Sequence, residues 1–182
     1  LSNVLDHKFI LYKTYINRWS LILLFLRFKQ IPNTYPEFEQ EVRSTSINQG
    51  KRSLLTNKEE NLSEFESFFW LYFAKDIPKS YLEDLNEFKL IVNRIKHKPK
   101  VIFTANAHWG NDIFKFWISS LLSKNKTKLV VSSHGGGLPI PDAIWHYHES
   151  AISDSYLTYH LPNYSNQFQS TQLLEGPRLS RK

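Results

Sequence analysis

The spacing of apolar residues changes along the chain and separates helical from extended parts. Apolar side chains recur at spacings of three and four, the period of one helix face, and predict helices at 12–26, 62–74, 81–96 and 113–122. Ser63 with Glu66, and Ser80 with Glu83, form capping-box patterns at two of these starts. Residues 33–58 carry few large apolar side chains, which predicts a loop or irregular stretch.

A different period follows Pro99. Short apolar runs rich in β-branched and aromatic residues predict three strands, at 101–104, 128–131 and 155–159. The helix at 113–122 separates the first two strands, and a short helix at 143–151, with Asp142 as its cap, separates the last two. This order predicts an α/β fold with a short parallel sheet and right-handed crossovers, preceded by a helical section.

Composition narrows the possible functions. The chain has 182 residues, 41% of them apolar, which is enough for a sizeable core in one ordinary domain. The absence of cysteine excludes disulfides, thiolate metal sites and thiolate nucleophiles. The chain starts at Leu1, contains no methionine and opens without a signal-peptide layout, so we expect it to be a piece of a longer protein.

The net charge of +6 is scattered, apart from basic clusters at 96–100 and 124–128. Their position at expected element ends favours solvated helix ends and loops, with binding of a nucleotide, polyanion or membrane surface as the alternative. The longest apolar run, at 21–26, is far shorter than the roughly 20 residues that span a bilayer. It predicts a buried helix, with a peripheral membrane contact as the alternative. Most aromatic residues fall at helical spacing, so nucleic-acid binding is not expected.

A histidine and three glycines follow the second predicted strand. Gly135, Gly136 and Gly137 are three of the six glycines in the chain, and they allow a ligand to approach the backbone closely. Open α/β sheets place their binding crevices at such strand ends. In one interpretation His134 is a general base and the glycine amides hold a phosphate or an oxyanion. In the other, this is a tight turn with a structural histidine.

His108 and Asp112 follow the first predicted strand and therefore lie at the same sheet edge as His134. They either line a substrate crevice or cap the next helix. Asn111 or Asp112 is available as the cap of that helix, and capping is the expected role of Asp112. A metal site is not expected among the nearby acidic and histidine residues, because His146 and His148 would point to different helix faces. No Gly-x-x-x-x-Gly-Lys or Gly-x-Gly-x-x-Gly motif is present, so ATPases and dinucleotide oxidoreductases lack their markers.

The His-Gly-Gly-Gly run keeps a hydrolase open as an alternative. Lipases and esterases use such a run for oxyanion-hole amides, but they also need a Gly-x-Ser-x-Gly nucleophile elbow downstream. Gly176 is the only glycine after the loop, so an esterase would need an elbow beyond the given sequence. A non-catalytic binding domain is the second alternative.

Several short motifs carry a family resemblance over residues 60–180. They are DIPKSYLE at 76–83, KLVV at 128–131 with SHGGG at 133–137, and ESAISD at 149–154 with YLT at 156–158. In this order the chain resembles a family of transferases of bacterial surface-carbohydrate biosynthesis with a GT-B-like architecture. That family is distantly similar to CDP-glycerol glycerophosphotransferases.

The resemblance implies two Rossmann-like domains that face each other across a cleft. It makes residues 1–58 a helical or irregular N-terminal section, 59–160 a Rossmann-like α/β domain, and 161–182 a linker toward a C-terminal domain. The nucleotide-activated donor would sit mainly on that second domain. The isolated chain is therefore expected to be inactive.

The resemblance also implies roles for the site residues. His134 matches a histidine regarded as the catalytic base in polyol-phosphate polymerases of this fold, although this chain has three glycines where those polymerases have one. Asp154 matches an acidic position before the closing strand. Its role there is either structural or, like that of the glycines, His108 and Asp112, substrate binding. The implied enzyme transfers a sugar or polyol-phosphate from a nucleotide-sugar or CDP-polyol donor to a glycan or lipid-linked acceptor. It would need no tightly bound cofactor or nucleic acid, and it would work in the cytoplasm, at the inner face of the membrane.

Overall fold

The computed structural model describes residues 8–42, 45–56, 61–123, 127–133, 144–158 and 167–169. Over these residues the chain has an α/β fold built on a Rossmann-like parallel sheet. Five strands of the described part lie side by side in chain order: β1 Phe9–Leu11, β2 Val101–Thr104, β3 Lys128–Ser132, β4 Ser155–Thr158 and β5 Gln167–Gln169. Every neighbouring pair is parallel, so the carboxyl ends of the strands share one edge of the sheet.

The three predicted strands are confirmed as β2, β3 and β4. In the register of the sheet Ile102 lies beside Leu129, and Val131 lies beside Tyr156. All four side chains are buried. Short apolar runs are typical of parallel strands because helices cover both faces of such a sheet.

The first and last strands were not predicted. Phe9–Leu11 precede the predicted first helix, and Gln167–Gln169 lie within the predicted linker. Each has three residues, too few for a recognisable period. The outer edge of β1 is covered by Gln30, whose side chain accepts from the Phe9 N–H and donates to the Phe9 carbonyl, both at 2.8 Å. This blocks further strand pairing at that residue.

Seven α-helices occur in the described part: α1 Arg18–Arg27, α2 Gln49–Ser53, α3 Glu64–Asp76, α4 Leu85–Arg94, α5 Ala107–Gly110, α6 Asp112–Leu122 and α7 Ile144–Ile152. The capping box of α3 is confirmed. The Glu66 N–H donates to Ser63 Oγ at 3.2 Å, and the Ser63 N–H donates to Glu66 Oε2 at 2.8 Å. Among the described residues, no helix is both long and apolar enough to cross a membrane.

Two predicted helix starts are wrong. The first helix begins at Arg18 and not near residue 12, because Lys13 and Tyr15 have φ angles of 48° and 56°, outside the helical region. Ser80 belongs to a 3₁₀ turn, Lys79–Tyr81, and forms no capping box with Glu83. The helix that follows starts only at Leu85.

The chain divides into two compact units, Leu1–Glu39 with Ile95–Lys182, and Gln40–Arg94. In the second unit, the carboxylate of Glu83 is bound by the guanidinium of the buried Arg52. The Arg52 guanidinium donates to both carboxylate oxygens of Glu83, at 2.8 and 2.9 Å, and to the Ile77 carbonyl at 3.1 Å. The hydrogen bonds from Arg52 lower the pKa of Glu83 to about 2. Arg52 thereby ties the end of α3 to the start of α4.

The first unit has an aromatic core beside the sheet. Tyr12, Tyr35, Phe38, Phe114 and Trp117 are buried, and the ring centroids of Phe38 and Trp117 are 4.8 Å apart. The rings of Tyr12 and Phe38 are 4.9 Å apart. This packing fixes the first turns of α6 against the segment that follows β1. It therefore also fixes the connection between β2 and α6.

Candidate functional site

The connection after β2 lies at the carboxyl edge of the sheet. Thr104 is the last residue of the strand, and its buried Oγ accepts a hydrogen bond from the Ala107 N–H at 3.0 Å. This bond starts the single turn α5, which carries His108 and Trp109 directly beyond the strand end. His108 is buried, whereas Trp109 is partly exposed.

A fully buried carboxylate joins these residues to α7 and β4. Glu149 of α7 accepts a hydrogen bond from His108 Nε2 at 3.1 Å and from Trp109 Nε1 at 2.9 Å, both at Oε1. Its Oε2 accepts a hydrogen bond from the Tyr156 hydroxyl at 2.6 Å. Three donors therefore surround one carboxylate, and they come from the β2–α5 turn and from β4.

These contacts set the protonation of the group. Burial raises the pKa of Glu149, but the hydrogen bonds from His108, Tyr156 and Trp109 outweigh it and leave the pKa below its usual value. The carboxylate is therefore ionised and can only accept, so His108 Nε2 must carry a proton. In the neutral imidazole, Nδ1 then has a free lone pair. Nδ1 of His108 is buried and has no hydrogen-bond partner among the described residues.

The neighbouring end of β1 carries further unusual features. Lys13 and Tyr15 have positive φ angles, which for side chains of this size cost roughly 1–2 kcal/mol each. The Lys13 carbonyl accepts from the Ala105 N–H at 3.0 Å, so this strained segment lies against the end of β2. Asn106 donates to the Tyr15 hydroxyl at 2.9 Å, while its buried Oδ1 has no partner in the described ranges. Two of the four positive-φ residues and two of the three unpaired buried polar atoms of the described part therefore lie at this edge, and such features are common at functional sites.

The cap of α6 is Asn111, and the capping role expected for Asp112 is wrong. Asn111 Oδ1 accepts from the Phe114 N–H at 2.8 Å, and Asn111 Nδ2 donates to the Phe38 carbonyl at 2.8 Å and the Tyr12 hydroxyl at 3.0 Å. Asp112 lies one residue further, in the first turn, and pairs with Lys115 at 2.5 Å. It stays at the carboxyl edge, partly exposed.

Asp154 lies at the opposite edge of the sheet. It precedes β4, and its carboxylate accepts from the Leu129 N–H at 2.9 Å and pairs with Lys128 Nζ at 2.6 Å. Burial raises the pKa of Asp154, and the bonds from Lys128 and Leu129 lower it below its usual value. Lys128 is the first residue of β3, so this cluster joins the amino ends of two strands and is separate from His108.

His134, Gly135, Gly136 and Gly137 lie outside the described residues. The chain is described up to Ser133, which is buried and whose N–H donates to the Leu157 carbonyl at 2.8 Å. Ser133 therefore lies at the carboxyl edge of the sheet, beside β4.

Sequence reasoning missed the central role of Glu149 and its donor Tyr156. No contact between Glu149 and His108 was predicted, because no local pattern connects a helix glutamate with a histidine 41 positions earlier. The one usable signal was the predicted strand order, which brings the β2 end and the helix before β4 to the same sheet. Within the described part, no three acidic or histidine side chains are grouped to hold a metal ion.

Comparison with known proteins places the chain in a family. Residues 1–160 match the family described as LIC12162 family transferase. No curated protein and no solved structure matched the chain. Since the match covers most of the 182 residues, it includes β1 to β4 and every residue of the Glu149 cluster. The chain therefore belongs to the LIC12162 family of transferases.

Proposed function

We propose that this transferase moves a sugar or polyol-phosphate unit from a nucleotide-activated donor to a glycan acceptor at the carboxyl edge of the sheet. The observation that carries the proposal is His108, held by Glu149 through Nε2 with Nδ1 unpaired among the described residues. A buried polar atom without a partner costs about 1–3 kcal/mol. A substrate hydroxyl that donates to Nδ1 removes this cost on binding.

Each residue of this edge has a different role in the proposed reaction. His134 takes the proton of the acceptor hydroxyl, as the resemblance to polyol-phosphate polymerases implies. The glycine amides donate to the anionic part of the substrate. His108 orients a substrate hydroxyl, and Asp112 lines the same crevice. Asp154 has no part in this crevice, because it lies at the opposite edge of the sheet.

The two forms of the reaction release different products. In glycosyl transfer the acceptor oxygen bonds to the sugar carbon, and a nucleoside diphosphate leaves from a nucleoside-diphosphate sugar. In polyol-phosphate transfer the acceptor oxygen bonds to the phosphorus that carries the polyol, and a nucleoside monophosphate leaves from a CDP-polyol. In both, the acceptor proton passes to the base.

The resemblance supports the wider setting of the proposal. In a GT-B-like architecture a second Rossmann-like domain, outside the given sequence, holds most of the donor. The acceptor is a glycan or a lipid-linked glycan, and no tightly bound cofactor is needed. The proposed location is the cytoplasm, where nucleotide-activated donors are made.

The test is a donor screen with the protein at its natural length. Nucleotide-sugars and CDP-polyols are incubated with a glycolipid acceptor extract, and released nucleotides are separated and quantified. We expect acceptor-dependent release with one donor class, and His134→Ala should lower it by about 10²–10⁴-fold. Hydrolysis of p-nitrophenyl esters without nucleotide release would instead support an esterase. Binding of a glycan without any turnover would support a binding domain.

A further inference from the structure

The outer face of α1 is apolar and exposed. Trp19, Leu23 and Leu26 follow one another at spacings of four and three, so they form one stripe, and they are 76%, 66% and 59% exposed. The opposite face is anchored by the buried Phe25. The helix end is also fixed, because Gln30 bonds both backbone groups of Phe9. The helix is therefore packed into the fold, and the stripe is an exposed surface of a fixed element.

The charged residues on α1 and next to it in the sequence are all basic. Asp6 and Glu37 are consecutive acidic residues of the sequence, and five basic residues lie between them: Lys8, Lys13, Arg18, Arg27 and Lys29. All five are exposed. Lys13 pairs with Glu39 at 3.4 Å, and no other of the five forms a salt bridge within the described ranges. Arg18 and Arg27 stand at the two ends of α1, and Lys29 follows directly.

A second exposed apolar helix gives the contrast. In α3, six large apolar side chains are exposed: Phe65, Phe68, Phe69, Leu71, Tyr72 and Phe73. The charges of this helix are mostly acidic, with Glu64, Glu66 and Asp76 against Lys75. An anionic surface would repel this helix, whereas it would attract α1. Both helices expose apolar side chains, so exposure does not distinguish them. Their charges do, because only α1 would be attracted to an anionic surface.

We propose that α1 seats the protein on a membrane surface that contains anionic lipids. Trp19 suits the headgroup level, where its ring is apolar and its N–H can find a partner. Leu23 and Leu26 enter the boundary of the acyl chains, and the basic side chains extend their apolar stems and reach lipid phosphates. The helix lies in the plane of the surface and does not cross it. This inference rests on exposure and charge and does not depend on the proposed function.

The test is vesicle flotation of the protein at its natural length. One vesicle preparation contains phosphatidylcholine alone, and the other contains phosphatidylcholine mixed with phosphatidylglycerol. We expect the wild type to float with the mixed vesicles only. Leu23→Gln with Leu26→Gln should weaken binding about tenfold, since less apolar area leaves water. Arg27→Gln with Lys29→Gln should weaken binding to the mixed vesicles about fivefold for each charge removed. Added salt should also weaken this binding, because it screens the charges.

The control is Phe65→Gln with Phe68→Gln, which makes the same type of change on the acidic helix α3 and should leave flotation unchanged. Circular dichroism checks that each variant is folded; the replaced side chains are exposed. Three results would overturn the proposal. They are equal flotation with both vesicle types, no flotation of the wild type, or a dimer in sedimentation that Leu23→Gln with Leu26→Gln dissociates. The last would assign the stripe to a second copy of the chain.

Discussion

At the scale of single residues, Glu149 combines full burial with a negative charge. A buried carboxylate is costly unless donors surround it, and here His108, Trp109 and Tyr156 supply one hydrogen bond each. The acceptor at Nε2 keeps a proton on that nitrogen, so in a neutral imidazole the lone pair lies on Nδ1. Glu149 therefore affects both the stability of the fold and the position of the proton on His108.

Graded replacements of Glu149 should separate its charge from its hydrogen bonds. In Glu149→Gln the amide oxygen can still accept from His108 and Trp109 while the NH₂ group faces the Tyr156 hydroxyl, so we expect a loss of about 1 kcal/mol in the free energy of unfolding. Glu149→Leu removes the acceptor of the hydrogen bonds from His108, Trp109 and Tyr156 and should cost about 3–5 kcal/mol. Tyr156→Phe removes one bond to a charged group and should cost about 1.5–3 kcal/mol. Chemical denaturation followed by circular dichroism measures all three.

The acid dependence of the wild type gives a second measure of the same group. The pKa of Glu149 is lower in the folded chain than in the unfolded chain. Its contribution to stability is therefore present above the unfolded value of about 4.3 and is lost as the pH falls through the folded pKa. Glu149→Gln should lack this part of the acid sensitivity. Equal stability of the leucine and glutamine variants would contradict the account of Glu149.

At the scale of elements, prediction succeeded where local chemistry and tertiary packing agree. The capping box at Ser63 and Glu66 has the same role in isolation as in the fold. The first helix was predicted too long, because the spacing of Tyr12 and Tyr15 suits a helix although their segment crosses the sheet edge. Glu83 was misjudged because its partner, Arg52, lies 31 positions earlier in the sequence.

The two adjacent candidates for the α6 cap can be separated by alanine substitution. Asn111→Ala removes the bond to the Phe114 N–H and leaves the Phe38 carbonyl without its buried donor, so it should cost about 2–4 kcal/mol in the free energy of unfolding. Asp112→Ala removes a partly exposed pair with Lys115 and should cost no more than about 1 kcal/mol. Thermal and chemical denaturation of both variants measure the difference. A larger loss from Asp112→Ala would return the capping role to that residue.

At the scale of the whole molecule, the sequence predicted the sheet edge at which His108 lies better than the contacts that His108 makes there. The strand order alone placed His108 at the carboxyl edge, because parallel strands end on the same side. The partner of His108 could not be predicted, since contact between α7 and the β2 end depends on packing across the sheet. For Asp154 the structure favours the structural alternative, because its place before a strand puts it at the amino edge, beside Lys128.

The measurement that tests the account most directly is acceptor-dependent transfer by the protein at its natural length with His108→Gln. The glutamine amide can still donate to Glu149, so the buried carboxylate keeps its partner, but the Nδ1 lone pair is lost. The matched control is His97→Gln, since His97 also contacts a glutamate, Glu37, through Nε2 and lies before β2, away from the carboxyl edge.

We expect His108→Gln to lower kcat/KM for transfer about 10–100-fold, the loss expected for about 1.4–2.7 kcal/mol of substrate and transition-state binding, with its melting temperature close to that of the wild type. His97→Gln should retain wild-type kcat/KM. Wild-type transfer by a folded His108→Gln protein would contradict the claim that this edge of the sheet is the site of the reaction.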